Sequence, residues 1–434
     1  MERRFDASGW QRDALPRGTI EPGAGSGLVV WGVGAGVKRS GTIDVARARS
    51  ETPGCEHVLH FNNAGAALMP RPVLDAVVGH LELEARRGGY EAADAAEAGL
   101  ERVYDAAASL LGCDRAEIAF VENATRAWDM AFYAIPFGPG DRILTAQAEY
   151  ASNYIAFLQI ARRTGAVVEV IPNDESGQLS VEALAAMLDD RVKLIAITHV
   201  PTNGGLVNPA AAVGRLARDA GIPFLLDACQ SVGQMPLDVD ALGCDLLSIT
   251  GRKYLRGPRG TGLLYVRRGI LDRLEPPFLD LHAARWTAPD RFEIRPDARR
   301  FENWETNEAG KIGLGVAIDY ALGWGLEAIR DRVHTLAADL RARLAALPGI
   351  TVQDLGVERC GIVTFTIVGV PAAAIKQRLA NQAMNVTVSG RDSTRLDMEA
   401  RHLTEVVRAS VHYHNDEDEI DRFRGIIAAI VPRR

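Results

Sequence analysis

The chain has 434 residues, enough for two domains of ordinary size with an ample core. Its 49 basic and 56 acidic residues leave a net charge of −7, and without a basic excess a small-molecule partner is expected and a nucleic acid is not. No uninterrupted apolar run approaches the roughly 18 residues of a membrane span. Five cysteines without CxxC spacing suggest reduced thiols in a cytoplasmic protein, not a disulfide frame or a zinc site.

Residues 1–57 are expected to form a disordered leader, rich in glycine and lacking a sustained period. Within them "LVVWGVGAG" imitates a strand entering a dinucleotide-binding glycine loop. Val37 stands where that fingerprint needs glycine or alanine, and Asp44 comes too early for the ribose-binding acid.

From His60 the pattern becomes regular. The strand-like runs "IAFV", "RILTA", "VVEVIP", "KLIAITHV", "PFLLDA" and "DLLSIT" alternate with the helical stretches "ATRAWDMAFYAI", "SNYIAFLQIARRTG", "SVEALAAMLDD" and "PAAAVGRLARDAG". This alternation predicts βαβ units and a mostly parallel sheet. Such sheets bind ligands at the carboxyl ends of their strands, where loops and helix N-termini converge.

The strand ends carry a coherent set of groups. After "IAFV", Ala124 and Thr125 open a helix whose free N–H groups suit a phosphate. "EYASN" brings Tyr150 to the same rim, and "LIAITHV" leads to Thr202 and Asn203. "PFLLD" ends on Asp227 with Gln230 three places on, and "DLLSITGRKYLRGPRG" brings Thr250, Arg252 and Lys253. Pyridoxal 5'-phosphate (PLP) explains the combination. Its aldehyde takes a lysine, its ring nitrogen a carboxylate, its ring an aromatic face and its phosphate a helix N-terminus. The competing assignments are a surface role for Lys253, helix capping for Asp227 and Thr125, and a plain rim or core aromatic for Tyr150. "GPRGTG" lacks the ending of a nucleotide-binding loop. His412 and His414 in "VHYHN" would share a strand face, but without a third ligand they suggest packing, and no metal is expected.

The stretch "LLDACQSVGQMPLDVDALGCDLLSITGRKYLRGPRGTGLLYV" resembles the core of the class V aminotransferase family, which includes cysteine desulfurases, kynureninase, isopenicillin N epimerase and ergothioneine C–S lyases. The resemblance covers about residues 58–431. It implies an α/β protein with the PLP-dependent type I fold. The large, mostly parallel sheet domain would span residues 58–310 and a smaller C-terminal α+β domain residues 311–434, with the N-terminal segment of the first as an alternative part of the second. It also implies a homodimer with shared active sites.

Carried over position by position, the resemblance makes Lys253 the Schiff-base lysine, Asp227 the ring-nitrogen partner and Gln230 the amide near the ring hydroxyl. Ala124, Thr125, Thr250 and Arg252 match phosphate contacts. Tyr150 stands where desulfurases carry a stacking histidine, and Thr202 where they carry a ring-contacting asparagine. In "RRFENWETN", Thr306 or Glu305 fills the slot that contacts the partner subunit's phosphate.

The reaction is less directly encoded. The loop "NVTVSGRDSTRLD" has no cysteine, which speaks against a desulfurase that holds sulfur on a thiol there, and Val388 replaces the desulfurase arginine. Arg408 in "VVRASVHYHN" is the candidate for the substrate carboxylate, with Arg391 in reserve and pairing to a helix acid as the structural alternative. "HFNNAGAALMP" and "RRGGYEAADAA" resemble the substrate-facing side of the lyase branch, with Asn63 as a substrate contact. The expected activity is cleavage of a Cβ–sulfur bond of an amino acid. An aminotransferase or epimerase is the alternative, and a catalytically silent binding protein the remote one.

Overall fold

A computed structural model of the chain describes residues 41–432, which belong to one compact unit. The glycine-rich decoy at 28–37 lies outside the described residues.

Helices α1 (Val45–Ser50), α2 (Arg71–Arg87) and α3 (Glu97–Leu111) precede strand β1 (Ile118–Val121). The chain then alternates through α4 (Ala124–Phe132), β2 (Arg142–Ala146), α5 (Ala151–Thr164), β3 (Val167–Ile171), α6 (Val181–Met187) and β4 (Val192–Thr198). After α7 (Ala210–Ala220) come β5 (Phe224–Asp227), β6 (Leu246–Thr250) and β7 (Gly262–Val266).

These strands form one seven-stranded sheet in the order β1-β7-β6-β5-β4-β2-β3. Neighbours from β3 to β6 are parallel, and β7 runs antiparallel between β6 and β1. Residues 251–261 explain the reversal: a parallel crossover needs a dozen or more residues and usually a helix, and this loop is too short. The turn back places the loop that carries Lys253 beside the start of α4. Contact there is close enough to require Gly262, where a Cβ would lie 2.7 Å from the Ile249 carbonyl oxygen and 2.8 Å from the Asn123 carbonyl carbon.

Strands β8 (Ala284–Ala288) and β9 (Arg291–Ile294) form an antiparallel hairpin, with Trp286 and Phe292 exposed. Helices α8 (Glu308–Trp324) and α9 (Leu326–Ala345) lead to β10 (Ile350–Val352) and β11 (Ile362–Ile367). With α10 (Ala372–Ala380), β12 (Thr387–Gly390), β13 (Glu405–Ser410) and α11 (Glu417–Ile430) they complete an antiparallel four-stranded sheet, ordered β10-β11-β13-β12. A continuous apolar core joins the two sheets, running from Leu247 and Ile249 through Tyr254 to Val363, Val407 and Phe423.

Two expected boundaries move. Val45–Ser50 and Pro53–Glu56 are helical, not a disordered leader: the Arg49 guanidinium donates to Glu419 at 2.8 Å, and just beyond them Leu59–His60 pairs in parallel with Met384–Asn385. Ion pairing holds α1 to the C-terminal lobe with only Ala48 buried, so it carries no apolar period to read. The border at 310/311 also shifts. Helix α8 packs on α2 and α3 of the large lobe, and the chain leaves that lobe at the positive-φ Gly325. Gly313 permits the contact, since a Cβ there would lie 2.5 Å from a Val77 methyl.

Candidate active site

Strands β5 and β6 end side by side, pairing Asp227 with Ser248, and the loop after β6 brings Lys253 over the same edge. Asp227 is 5% exposed. Its Oδ1 accepts the Cys229 N–H at 2.9 Å and its Oδ2 accepts from Asn153 Nδ2 at 3.0 Å. Both donors are neutral. The Lys253 amine is half-buried and has no hydrogen-bond or ion-pair partner among the described residues. Burial pushes its pKa below the ordinary lysine value; Cys229 and Asp227 pull it up, while Arg252 and Arg408 add to the depression. A lysine whose charged form is disfavoured by burial is a better nucleophile and base than one in water.

Gln230 is buried, and its Nε2 donates to the Ala64 carbonyl at 3.1 Å while its Oε1 has no partner. Arg252 donates to the Gly65 carbonyl, joining the lysine loop to the turn at 62–67; its own carbonyl accepts from Ala67 N at 2.9 Å. Tyr150 is 38% exposed just ahead of α5, close enough for its phenol to interact electrostatically with both Arg252 and Arg408.

Arg408 lies in the middle of β13 and is 6% exposed. Its Nη1 donates to the Thr202 hydroxyl and, at 3.2 Å, to the Thr202 carbonyl; Nε has no partner. No carboxylate pairs with it among the described residues, and burial lowers its pKa to about 10. Pairing with a helix acid is therefore set aside. Thr202 is held by Arg408 instead of standing free beside a ring. Arg391 follows β12 with its Nε also buried and unpartnered.

Ala124 and Thr125 are the first two residues of α4. Asn123 caps the helix by accepting from Arg126 N at 2.9 Å, and first-turn N–H groups have no acceptor within a helix. Thr250 ends β6 beside Gly262, next to this helix start. Glu305 is exposed and Thr306 half-buried in the loop before α8. The loop leans on its own chain, where Asn303 Nδ2 donates to Glu122 at 3.1 Å just ahead of α4.

Two expectations are corrected. Asn63 is fully buried, with Nδ2 donating to the carbonyls of His60 at 3.2 Å and Ser410 at 2.8 Å. It staples the N-terminal turn to β13 and is out of a substrate's reach. His412 and His414 follow β13 in a turn instead of sharing a strand face. His412 contacts the Tyr254 carbonyl and accepts from Tyr413 N, both at 2.9 Å.

Four residues were not singled out from sequence as site groups. Glu149 and Asn153 stand behind Asp227, and Cys229 adjoins Asp227 and Lys253. Arg256 in the lysine loop is 1% exposed with φ 61°. It donates to Leu68 O, Tyr413 Oη and Thr52 Oγ1 at 2.8, 2.7 and 2.5 Å. A positive φ at a non-glycine residue is costly and persists only where surrounding bonds enforce it, as these three do. The Glu149-x-x-x-Asn153 spacing at a helix start was the available signal for the first pair.

The residues fit PLP. An unpartnered amine, a buried carboxylate with neutral donors, the orphaned Gln230 Oε1 and an open helix N-terminus face one rim. The class V aminotransferase profile matches residues 59–423. A probable cysteine desulfurase of Xylella fastidiosa is 32% identical over 408 residues, covering 90% of this chain and 96% of that protein. The apo cysteine desulfurase of Thermococcus onnurineus superposes with a TM-score of 0.84 at 27% identity, over 89% of this chain and 98% of that one. The cystine C–S lyase C-DES shares the fold, with a TM-score of 0.79 and 23% identity over 88% of this chain and all of that one. The chain thus belongs to the class V aminotransferase family and is a PLP-dependent enzyme.

Proposed function

We propose that the enzyme is a carbon–sulfur lyase that removes the Cα proton of a cysteine-like amino acid and expels the sulfur carried on Cβ. The observation that carries the reading is Arg408: among the described residues it is a buried cation without an acid, on the same rim as an unpartnered lysine. A planar guanidinium in that position suits a substrate carboxylate.

When bound, the cofactor supplies a ring that accepts the electron pair left by the Cα–H bond. The Asp227 carboxylate would hold the proton at the ring nitrogen, which gives that ring its electron demand. Lys253 Nζ, whose pKa burial lowers, receives the Cα proton. Arg408 holds the substrate carboxylate, and the Thr202 hydroxyl fixes the guanidinium. The Tyr150 ring, partly exposed at the rim, would face the cofactor ring. Ala124, Thr125 and Thr250 hold the phosphate, with Arg252 adding charge.

Sulfur is favoured by the relatives, which are named cysteine desulfurases. The 384–394 segment contains no cysteine, so the sulfur fragment would leave with the bonding pair instead of passing to a loop thiol. Supplying cysteine, cystine and S-alkylcysteines should give pyruvate and ammonia in equal amounts with the sulfur fragment. Amino exchange with keto acids without free ammonia would establish an aminotransferase, and loss of Cα chirality without elimination an epimerase.

A homodimer is part of the same reading, supported by the exposed stripe Leu74, Val78 and Leu81 on α2 and by exposed Trp286, Phe292 and Trp304. The five unpaired cysteines support a reducing compartment such as the cytoplasm.

A further inference from the structure

We propose that Glu149 is a positioning residue that acts through the Asn153 amide on Asp227, setting how firmly Asp227 holds the proton of the cofactor's ring nitrogen. The proposal rests on the reading of Asp227 as the partner of that nitrogen.

The geometry is a chain of three side chains from separate elements. Asn153, in the first turn of α5, is 3% exposed, and its Nδ2 donates to Glu149 Oε1 at 2.8 Å and to Asp227 Oδ2 at 3.0 Å. One amide nitrogen has two hydrogens, so each bond uses one of them, and the two carboxyl groups are fixed back to back. Glu149 is also 3% exposed and accepts four further bonds. The donors are Tyr150 N at 2.9 Å, Thr198 N at 2.9 Å, Thr198 Oγ1 at 2.5 Å and Thr145 Oγ1 at 3.2 Å. No cation pairs with Glu149 among the described residues. A carboxyl group so deeply buried and so fully bonded has more than a packing role, because an apolar side chain would fill the space without the cost of burial.

The two hydroxyls let Glu149 exist in either protonation state. Three donors can only donate, but Thr145 and Thr198 can turn and accept from a protonated carboxyl. Burial, reinforced by the charge of Asp227, raises the Glu149 pKa to about 7, against the pull of its donors. The ionisable neighbours of the pair are few. Cys229 and Lys253 lie beyond Asp227, Tyr150 follows Glu149, and His199, whose N–H donates to the Asp227 carbonyl, has its pKa lowered by burial to about 4. When Glu149 ionises, a second negative charge appears behind Asp227. The ring-nitrogen proton is then held more tightly, by about one to two pH units at the dielectric effective in buried sites.

The test uses holoenzyme loaded with cofactor labelled with 15N in the ring, followed by NMR from pH 5 to 9. The ring resonance should move with a midpoint near pH 7 in the wild-type enzyme, and the inflection should vanish in Glu149→Gln. In Thr198→Val, which loses a donor to the ionised form, the midpoint should rise by roughly one pH unit. This second variant leaves the carboxyl group in place and serves if Glu149→Gln does not fold. A flat wild-type titration, or an inflection that survives Glu149→Gln, overturns the relay. Asp227→Asn separates the two layers: it should move the resonance to the unprotonated position at every pH. If that shift occurs while the Glu149 and Thr198 variants follow the wild type, only the relay fails; if it does not occur, the assignment of Asp227 fails.

Discussion

Arg408 allows function and stability to be separated in one experiment. Arg408 is 6% exposed, and among the described residues its guanidinium bonds only to Thr202 and meets no carboxylate. Burial takes its pKa from 12.5 to about 10, which corresponds to a destabilisation on the order of 3 kcal/mol for carrying the charge in the fold. Arg408→Met keeps the stem's volume and removes that charge. The melting temperature should therefore stay level or rise by about one to a few degrees, the usual scale for a change of this size in a long chain. Catalysis should move the other way. Losing a charge-assisted, two-point contact to a desolvated carboxylate costs about 2–4 kcal/mol, or roughly 30- to 1000-fold in kcat/KM. Arg408→Lys should already show much of the loss, because an ammonium cannot form the fork. Cofactor content, measured by absorbance after denaturation, should be unchanged in both variants. The assay pairs thermal melts with kcat/KM per folded molecule on one preparation. A melting temperature lowered by several degrees with kinetics intact would refute the reasoning and move the carboxylate site to Arg391.

Lys253→Ala should abolish the visible absorbance of the purified enzyme and the borohydride-trapped adduct; a trapped adduct in that variant would place the linkage on another residue. Asp227→Asn should retain cofactor but lose most turnover, as single-turnover kinetics will show, because an unprotonated ring is a poor electron sink. Arg256→Met should lower unfolding free energy by about 2–4 kcal/mol in urea titrations, since it strands two buried partners of the guanidinium and one half-buried carbonyl. Glu149 holds its proton more tightly folded than unfolded, so its contribution to stability is present below about pH 4.5 and is lost as pH rises through about 7. The wild-type enzyme should accordingly lose on the order of 3 kcal/mol relative to Glu149→Gln between those values, read from denaturation midpoints across pH.

The sequence by itself determined the alternation of strands and helices, and with it the rim on which Thr125, Tyr150, Thr202, Asp227 and Lys253 meet. Those features are local: an apolar run, a glycine at a helix end, or a polar residue where a strand stops can each be read within a few residues. The short connection after Thr250 even explains the antiparallel return of β7. Tertiary structure decided what depends on distance along the chain. Asn153 meets Asp227 across 74 residues and Arg408 meets Thr202 across 206. No periodicity reports such a meeting, so the Glu149 relay and the hold on Arg408 were not legible. Burial was equally hidden. Asn63 looked like a substrate contact because its neighbours resemble the substrate-facing side, yet it is sealed against His60 and Ser410. Helix α1 looked like part of a leader because ion pairs to the C-terminal lobe, and not an apolar face, hold it in place. Desolvation and long-range pairing belong to the packed chain, and those two effects give the lysine, the arginine and the buried acids of this site their chemical character.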